Sequence, residues 1–179
     1  MGRPALSSAP AAQRWLARWR VPLAFLASAI AFALAQPTPT SLAIGGAIVA
    51  VGEAIRVWAA GHLEKSREVT SSGPYRFTRH PLYVGSSTIG LGVAVASRSP
   101  WVAGLIALYL ATTIPSAIRT EESYLREQFG AAYDDYAAGN GPRVSRRFSV
   151  ARVVRNKEYR AVTGAAIGFL LLAVRAYFR

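Results

Sequence analysis

The sequence predicts an all-α integral membrane protein, a polytopic bundle of about five transmembrane helices. Of its 179 residues, 52% are hydrophobic and 17% are charged, and the apolar residues come in five long blocks separated by polar segments. Blocks of this length suit helices that cross a bilayer, where backbone polar groups must be bonded within the chain. The formal net charge is +12, and the arginines that produce it are grouped between the apolar blocks. We therefore expect anionic membrane lipids as partners and no nucleic acid.

The first two blocks predict a pair of helices within residues 1–60. The first block, about 15–35, starts with tryptophans, ends at a Pro-rich turn and fits a retained helix better than a cleaved signal peptide. The second, about 41–60, is rich in Gly and Ala, which let helices approach closely in lipid. Glu53 and Arg56 are three residues apart in this block, a spacing that predicts a structural ion pair on one helix face.

The remaining blocks predict a helical hairpin and a last transmembrane helix. Blocks at about 82–96 and 101–118 are joined by a short turn, and a polar amphipathic segment follows from Glu121 to about Tyr136. Acidic residues at the start of such a segment are favourable at a helix N-terminus. The final block, about 161–178, carries Gly164 and Gly168, a spacing suited to close packing that we expect to serve contact with a second copy of the chain.

The distribution of Arg and Lys predicts the orientation. The first 20 residues hold four, residues 61–80 hold four and residues 119–160 hold nine. A five-helix arrangement with a cytoplasmic N-terminus places all 17 on the cytoplasmic side, as the positive-inside rule requires. We therefore expect a protein of a bacterial inner membrane with its functional site facing the cytoplasm.

A run of aromatic and cationic side chains at the mouth of the third helix indicates that site. It extends from Gly73 to Gly85, and Glu121 and Glu122 follow at the end of the next hairpin. Polar groups next to a membrane are costly and usually functional. The chain has no cysteine, and its two histidines, His62 and His80, are too few for most zinc sites. No metal site is predicted, and His62 has no assigned role.

The spacing of these residues resembles a known superfamily of membrane enzymes. The pattern is Gly-x-Tyr-x-x-x-Arg-His-Pro-x-Tyr-x-Gly from Gly73, then Glu-Glu-x-x-Leu from Glu121 and Phe-Gly-x-x-Tyr-x-x-Tyr from Phe129. It is similar to the isoprenylcysteine carboxyl methyltransferase and phospholipid methyltransferase superfamily. The resemblance covers about residues 52–148 and implies methyl transfer from S-adenosylmethionine. It divides one methyltransferase domain, 1–179, into the helix pair 1–60, a catalytic core 61–148 and a linker with an extra helix at 149–179.

The resemblance also implies a set of cofactor-binding residues. Pro81 starts a helix whose free N–H groups, with Arg79 nearby, can hold the carboxylate of the methionine moiety. Gly85 keeps that helix narrow. Glu121 and Glu122 are both matched to the family's cofactor site, and Glu121 is the better candidate because adjacent helical residues point about 100° apart and cannot serve one ligand equally. Boundary tyrosines and Arg79 also have an ordinary role as membrane anchors. The remaining residues matched to the family's cofactor site are Val69, Thr70, Tyr75, His80, Leu82 and Tyr83.

The acceptor is expected to be lipophilic and to carry a carboxylate. Arg119, close before the glutamates, could grip that carboxylate in bidentate fashion, although the ungapped match to the family falls near Ala117 and snorkelling to lipid phosphate is a rival role. Three alternatives stay open: N-methylation of an ethanolamine phospholipid, an NADPH-dependent enzyme resembling sterol reductases, and a non-enzymatic membrane scaffold.

Overall fold

The computed structural model describes residue 26 and residues 28–65, 67–142 and 144–178. All regular structure in this part is helical, which confirms the predicted all-α bundle. Helix α1 covers residues 28–34, and the first part of the predicted helix, 15–25, lies outside the described residues. The other helices are α2 (Pro39–His62), α3 (Pro81–Ser97), α4 (Pro100–Phe129), α5 (Ala131–Ala137), α6 (Val150–Arg155) and α7 (Tyr159–Tyr177).

Three of these helices, α2, α4 and α7, are long and apolar enough to cross a membrane by length and composition. Helix α3 is a shorter apolar helix of 17 residues. Many large apolar side chains on α4 and α7 are exposed, among them Leu108 and Leu170. Apolar surfaces of this extent are stable when lipid covers them. The bundle therefore has the apolar outer surface of an integral membrane protein.

Helices α2 and α3 run antiparallel and form the tightest contact in the described part of the chain. A Cβ added to Gly52 would lie 2.8 Å from the Gly85 carbonyl oxygen, and one added to Gly92 would lie 2.7 Å from the Gly45 carbonyl oxygen. Any side chain at these positions would force the two backbones apart. The small residues of the second block therefore act as predicted, by letting two helices meet backbone to backbone.

Helix α4 differs from the prediction, because it continues 11 residues beyond the predicted end at 118 and stops at Gly130, whose φ is 51°. At 1.5 Å per residue its 30 residues span about 45 Å, longer than the hydrocarbon core of a bilayer. Glu121 and Glu122 thus lie inside a continuous helix, and the expectation that they begin one is wrong. The change in polarity near 118 marks a membrane boundary and not a helix end.

The last helix, α7, runs along the bundle from Glu158, beside Arg56, to the end that lies away from the 63–80 loop. Leu172 is buried with Ala35 and Ala96, and Arg175 donates from Nε to the Ala35 carbonyl oxygen at 2.8 Å. A Cβ added to Gly164 or Gly168 would meet nothing within 4 Å. The contact with a second copy predicted at these glycines stays a prediction.

Candidate functional site

The site begins with a tight turn that carries the start of the motif. Gly73 has φ 58°, and a Cβ there would lie 2.6 Å from the buried His62 ring, so only glycine fits. The turn continues as a 3-10 helix, Gly73–Arg76, that buries Tyr75. The Tyr136 hydroxyl donates to the Tyr75 carbonyl oxygen at 2.9 Å, which ties α5 to this turn. His62, unassigned from the sequence, has a packing role here.

His80 precedes Pro81, the first residue of α3, and is held by α4. Its Nε2 lies 3.1 Å from Glu122 Oε1, and because an ionised carboxylate only accepts, Nε2–H is the donor. Glu122 also pairs with Arg79 at 3.4 Å and with Arg126 at 3.7 Å. His80 Nδ1 is buried and has no hydrogen-bond partner within the described residues. A buried polar atom of this kind is available to a ligand.

These residues surround a cavity of about 1190 Å³ at the end of the bundle where α2 ends and α3 begins. We call it the motif cavity, and its walls are the 63–80 loop, the start of α3, the second half of α4 and α5. Nine of the twelve predicted site residues line it: Val69, Thr70, Tyr75, Arg79, His80, Pro81, Leu82, Tyr83 and Glu121. Their assignment to cofactor contact remains a prediction.

Three predicted site residues do not line the motif cavity. Glu122 acts behind it, through His80 and Arg79. Gly85 packs against Arg56 and Gly52 instead of facing the cavity. Arg119 is exposed and lines neither this cavity nor the cleft described below. It is two residues before Glu121 and therefore points about 200° away from it around α4. The structure gives no support to an acceptor anchor at Arg119.

Two tyrosines, Tyr75 and Tyr136, line one side of the motif cavity. Burial raises the pKa of Tyr75 above its ordinary value, and the nearby Glu121 carboxylate adds to the shift. Burial, with Tyr133 beside it, raises the pKa of Tyr136 to about 12. Both phenols therefore stay protonated at neutral pH and serve as neutral hydrogen-bond donors.

The sequence interpretation missed a polar face of α4. Thr112, Ser116, Thr120 and Tyr124 all line the motif cavity, and they are spaced four residues apart. Residues at this spacing share one side of a helix. Hydroxyl groups recurring every fourth position through an apolar block are a readable signal that this side of α4 does not face lipid.

A second hollow, of about 570 Å³, lies between α2, α3, α4 and α7, and we call it the bilayer cleft. It is mainly apolar, being lined by residues such as Ile89, Ile106 and Leu110. The motif cavity and the bilayer cleft have four lining residues in common: Arg56, Tyr83, Thr113 and Ala117. A polar cavity at the end of the bundle thus adjoins an apolar cleft at membrane depth.

Arg56 stands where the two hollows meet, and its partner is not the predicted one. Arg56 Nε donates to Glu158 Oε1 at 2.6 Å, and Nη1 donates to Ser86 Oγ at 2.5 Å and to the Leu82 carbonyl oxygen at 3.4 Å. Both oxygens of Glu53 are buried without a hydrogen-bond partner in the described part of the chain. The predicted Glu53–Arg56 pair is therefore wrong, because Glu158 from the last helix takes its place.

Glu64 fixes α6 to the rim of the motif cavity. Its carboxylate accepts from Arg155 Nη2 at 2.8 Å and 2.9 Å and from Arg152 Nη1 at 3.4 Å, and Arg146 lies 3.7 Å away. Burial alone would raise the pKa of Glu64, but the charges and hydrogen bonds of Arg155, Arg152 and Arg146 together outweigh it. The pKa of Glu64 ends below its ordinary value.

Comparison with known proteins places the chain in a family. Residues 40–132, slightly more than half of the chain, match the phospholipid methyltransferase family. The chain belongs to the phospholipid methyltransferase family. The resemblance given by the motif is thereby confirmed. The matched segment contains α2 except its first residue, α3, α4 and the whole 63–80 loop.

Several curated proteins are similar to this chain. The nickel-cobalt-cadmium resistance protein NccN of Alcaligenes xylosoxydans xylosoxydans is 31% identical over 147 residues, 75% of this chain and 68% of that protein. The cobalt-zinc-cadmium resistance protein CzcN of Cupriavidus metallidurans is 31% identical over 118 residues, 62% and 55% of the two chains. A probable protein-S-isoprenylcysteine O-methyltransferase of Oryza sativa subsp. indica is 32% identical over 106 residues, 52% and 56%.

The chain spans from 55% to 68% of the length of these three relatives. No solved structure matches it significantly. Although two relatives are named for metal resistance, no group of three or more His, Cys, Asp or Glu side chains in the described residues is placed to hold a metal ion.

Proposed function

We propose that the chain transfers a methyl group from S-adenosylmethionine to a lipophilic acceptor that enters from the bilayer. The observation that carries the proposal is the junction of the motif cavity with the bilayer cleft through Arg56, Tyr83, Thr113 and Ala117. At such a junction a polar cosubstrate can arrive from water and an apolar one from the lipid. Neither has to enter the phase in which it is insoluble. The family match and the rice O-methyltransferase relative support the same reaction class.

The residues of the motif cavity fit the cofactor. The Glu121 carboxylate suits ribose hydroxyls or an ammonium group, and the buried, unpartnered Nδ1 of His80 suits a further polar contact. The cavity exceeds the volume typical of small-ligand sites. The cofactor would supply a methyl group already activated by its sulfonium. The chain then has to align the acceptor with that methyl and exclude water.

Two acceptor classes are compatible with this reaction. A carboxylate needs no base because it is already ionised, and the name of the rice relative supports this O-methylation. An amine must first lose a proton, and the Glu53 carboxylate in the bilayer cleft, whose oxygens have no hydrogen-bond partner among the described residues, supports this N-methylation. Arg119 is exposed and favours neither of the two acceptor classes.

Isothermal titration calorimetry of the protein in detergent tests the cofactor. We expect binding of S-adenosylmethionine and of S-adenosylhomocysteine, and none of NADPH. Glu121→Gln should weaken binding about 10- to 150-fold, the usual effect of losing a charged hydrogen-bond partner. Glu127→Gln, the same change at an exposed position of α4 outside both hollows, should bind normally. NADPH binding alone would favour a reductase, and no binding of any of the three would favour a scaffold.

We also propose that the motif cavity faces the cytoplasm, where S-adenosylmethionine is made. The 17 basic residues assigned to that side support this orientation. Because the chain has no cysteine, Thr40→Cys and Arg67→Cys place single thiols at exposed positions near opposite ends of the bundle. A membrane-impermeant maleimide applied to intact cells should label position 40 and leave position 67 unlabelled. Labelling of position 67 alone would reverse the orientation.

A further inference from the structure

We propose that α6 lies in the plane of the membrane surface and that the cations around it bind the head groups of anionic phospholipids. Residues 147–160, which carry this surface, lie outside residues 40–132, the part that matches the family. The inference goes beyond the proposed methyl transfer and does not depend on it. It assigns the anionic lipids expected from the net charge to one defined part of the chain.

Both ends of α6 are attached to the last turn of α2. At its start, the Ser149 N–H donates to the Gly61 carbonyl oxygen at 3.1 Å. Just after its end, Asn156 Nδ2 donates to the Ala60 carbonyl oxygen at 2.9 Å. Because adjacent residues of a helix differ in height by only about 1.5 Å, the two ends of α6 lie at nearly the same height along α2. Helix α6 therefore crosses the end of α2, and since α2 is long and apolar enough to span the membrane, α6 runs along the membrane surface.

Neighbouring aromatic residues lie at the same height as α6. Trp58, one turn before the end of α2, is 42% exposed, and Tyr159, the first residue of α7, is 49% exposed. Exposed Trp and Tyr side chains favour the boundary between lipid and water. Glu158 pairs with Arg56, which lies about 7.5 Å further into α2 than Gly61. The chain therefore enters the bilayer as soon as α6 has ended.

The two sides of α6 differ in polarity. Arg152 and Asn156, four residues apart, face α2 and donate to the carbonyl oxygens at its end. Val150 and Val154, also four residues apart, share the outer side and are 67% and 58% exposed. Contact with water is unfavourable for such side chains, whereas at the height of the boundary they reach the acyl chains. An apolar outer side bordered by cations is typical of helices that lie in a membrane surface.

Three cations beside this apolar side have no carboxylate partner. Arg147 precedes α6, Lys157 follows it and Arg160 lies in the first turn of α7. All three are exposed, and none forms an ion pair within the described residues. Arg155, by contrast, is paired with Glu64. Lipid phosphate oxygens are acceptors for the three cations, and each cation close to an anionic surface strengthens the attraction about fivefold.

Fluorescence quenching in nanodiscs tests where α6 lies. Because the chain has no cysteine, Val154→Cys places a single thiol on the outer side of α6, and this thiol is labelled with bimane. We expect quenching by phospholipid that carries a nitroxide on its acyl chain. Bimane on Leu108→Cys, at an exposed apolar position of α4, should be quenched as well. Bimane on Asp135→Cys, at an exposed position of α5, should not. A lack of quenching at position 154 would overturn the placement of α6.

Two nitroxide-labelled lipids of different charge test the head-group preference. In phosphatidylcholine nanodiscs, labelled phosphatidylglycerol should quench position 154 half-maximally at a mole fraction at least about fivefold lower than labelled phosphatidylcholine does. Position 108 should show no such preference. Combining Arg147→Gln, Lys157→Gln and Arg160→Gln should remove the preference at position 154 and keep the quenching by phosphatidylcholine. Arg119→Gln, which removes an exposed cation of α4, should retain the preference.

Equal quenching by the two lipids in the wild type would refute the binding of anionic head groups, and so would a preference that survives in the triple variant. Salt gives a second check, because about 1 M NaCl shortens the screening distance to about 3 Å and should weaken the preference. The three cations do not line the motif cavity, so the triple variant should bind S-adenosylmethionine as the wild type does. A wild type with the lipid preference but without S-adenosylmethionine binding would refute the methyl transfer and support the lipid surface.

Discussion

The two faces of α3 are built in opposite ways. On the side that faces α2, the two backbones touch. Gly52 packs against Gly85 and Gly45 against Gly92, and in each pair a Cβ on one glycine would collide with the carbonyl oxygen of the other. Towards α4, the helices separate along their length and leave the motif cavity between them, and Val102 is the one buried residue of α4 in the described structure. One side of α3 is closed by backbone contact and the other stays open to ligands.

This difference shows how a small bundle can hold a large cavity in lipid. Since lipid supplies no hydrophobic force between helices, close backbone approach must fix α3 against α2. The open side is then held at the motif end by polar links, such as Arg56 to Glu158, Tyr136 to Tyr75 and Glu64 to Arg155. Stability at membrane depth and stability at the site therefore have different physical origins, and variants can separate them.

The largest effect is expected from Gly92→Leu, which fills the closed face. A Cβ at Gly92 would lie 2.7 Å from both the Gly45 carbonyl oxygen and Val49 Cγ2. The backbone of α2 has to move, so we expect the free energy of unfolding to fall by about 3 kcal/mol or more, and S-adenosylmethionine binding to fall with it. Denaturant titration in detergent and calorimetry measure the two losses.

The matched control is Gly104→Ala on α4. Nothing lies within 4 Å of a Cβ at this position, so the change should raise stability by about 0.5 to 1 kcal/mol through helix propensity alone. If Gly92→Leu proves as stable as the wild type, the α2–α3 contact is not what fixes α3.

The residues gathered in the motif cavity were predictable from sequence for a simple reason. Alternating helix directions bring the start of α3 and the end of α4 to one end of the bundle, so Tyr75, His80 and Glu121 meet although up to 46 positions separate them. Helix periodicity also explains why Arg119 lines neither hollow, whereas Ala117, on which the ungapped match to the family falls, lines both.

The partner of Arg56 was not predictable in the same way. A neighbour three residues away on the same helix is the obvious partner for Arg56, yet Glu158 reaches it across 102 positions. That contact depends on how α6 and α7 return to the motif end, and no local pattern encodes it. The predicted end of α4 was wrong for another reason. A change in polarity marks the membrane boundary, whereas the helix continues until it ends at Gly130.

A smaller effect than that of Gly92→Leu, and one that depends on pH, is expected from removing the Glu64 carboxylate. The pKa of Glu64 is lowered by folding from an ordinary value of 4.5, so the stability that its ion pairs contribute is complete above pH 4.5. It is lost as the pH falls through the lowered pKa. Glu64→Gln has no carboxylate to protonate and should be less stable than the wild type at pH 7 by roughly 1 to 3 kcal/mol.

The difference in melting temperature between wild type and Glu64→Gln should therefore shrink as the pH is lowered from 7 to 3.5. Gly92→Leu, which changes no titrating group, should keep a constant difference from the wild type over the same range if it folds well enough to melt. Glu127→Gln, at an exposed position, should match the wild type at both pH values. A pH-independent difference for Glu64→Gln would mean that packing, and not charge, attaches α6 to the rim of the motif cavity.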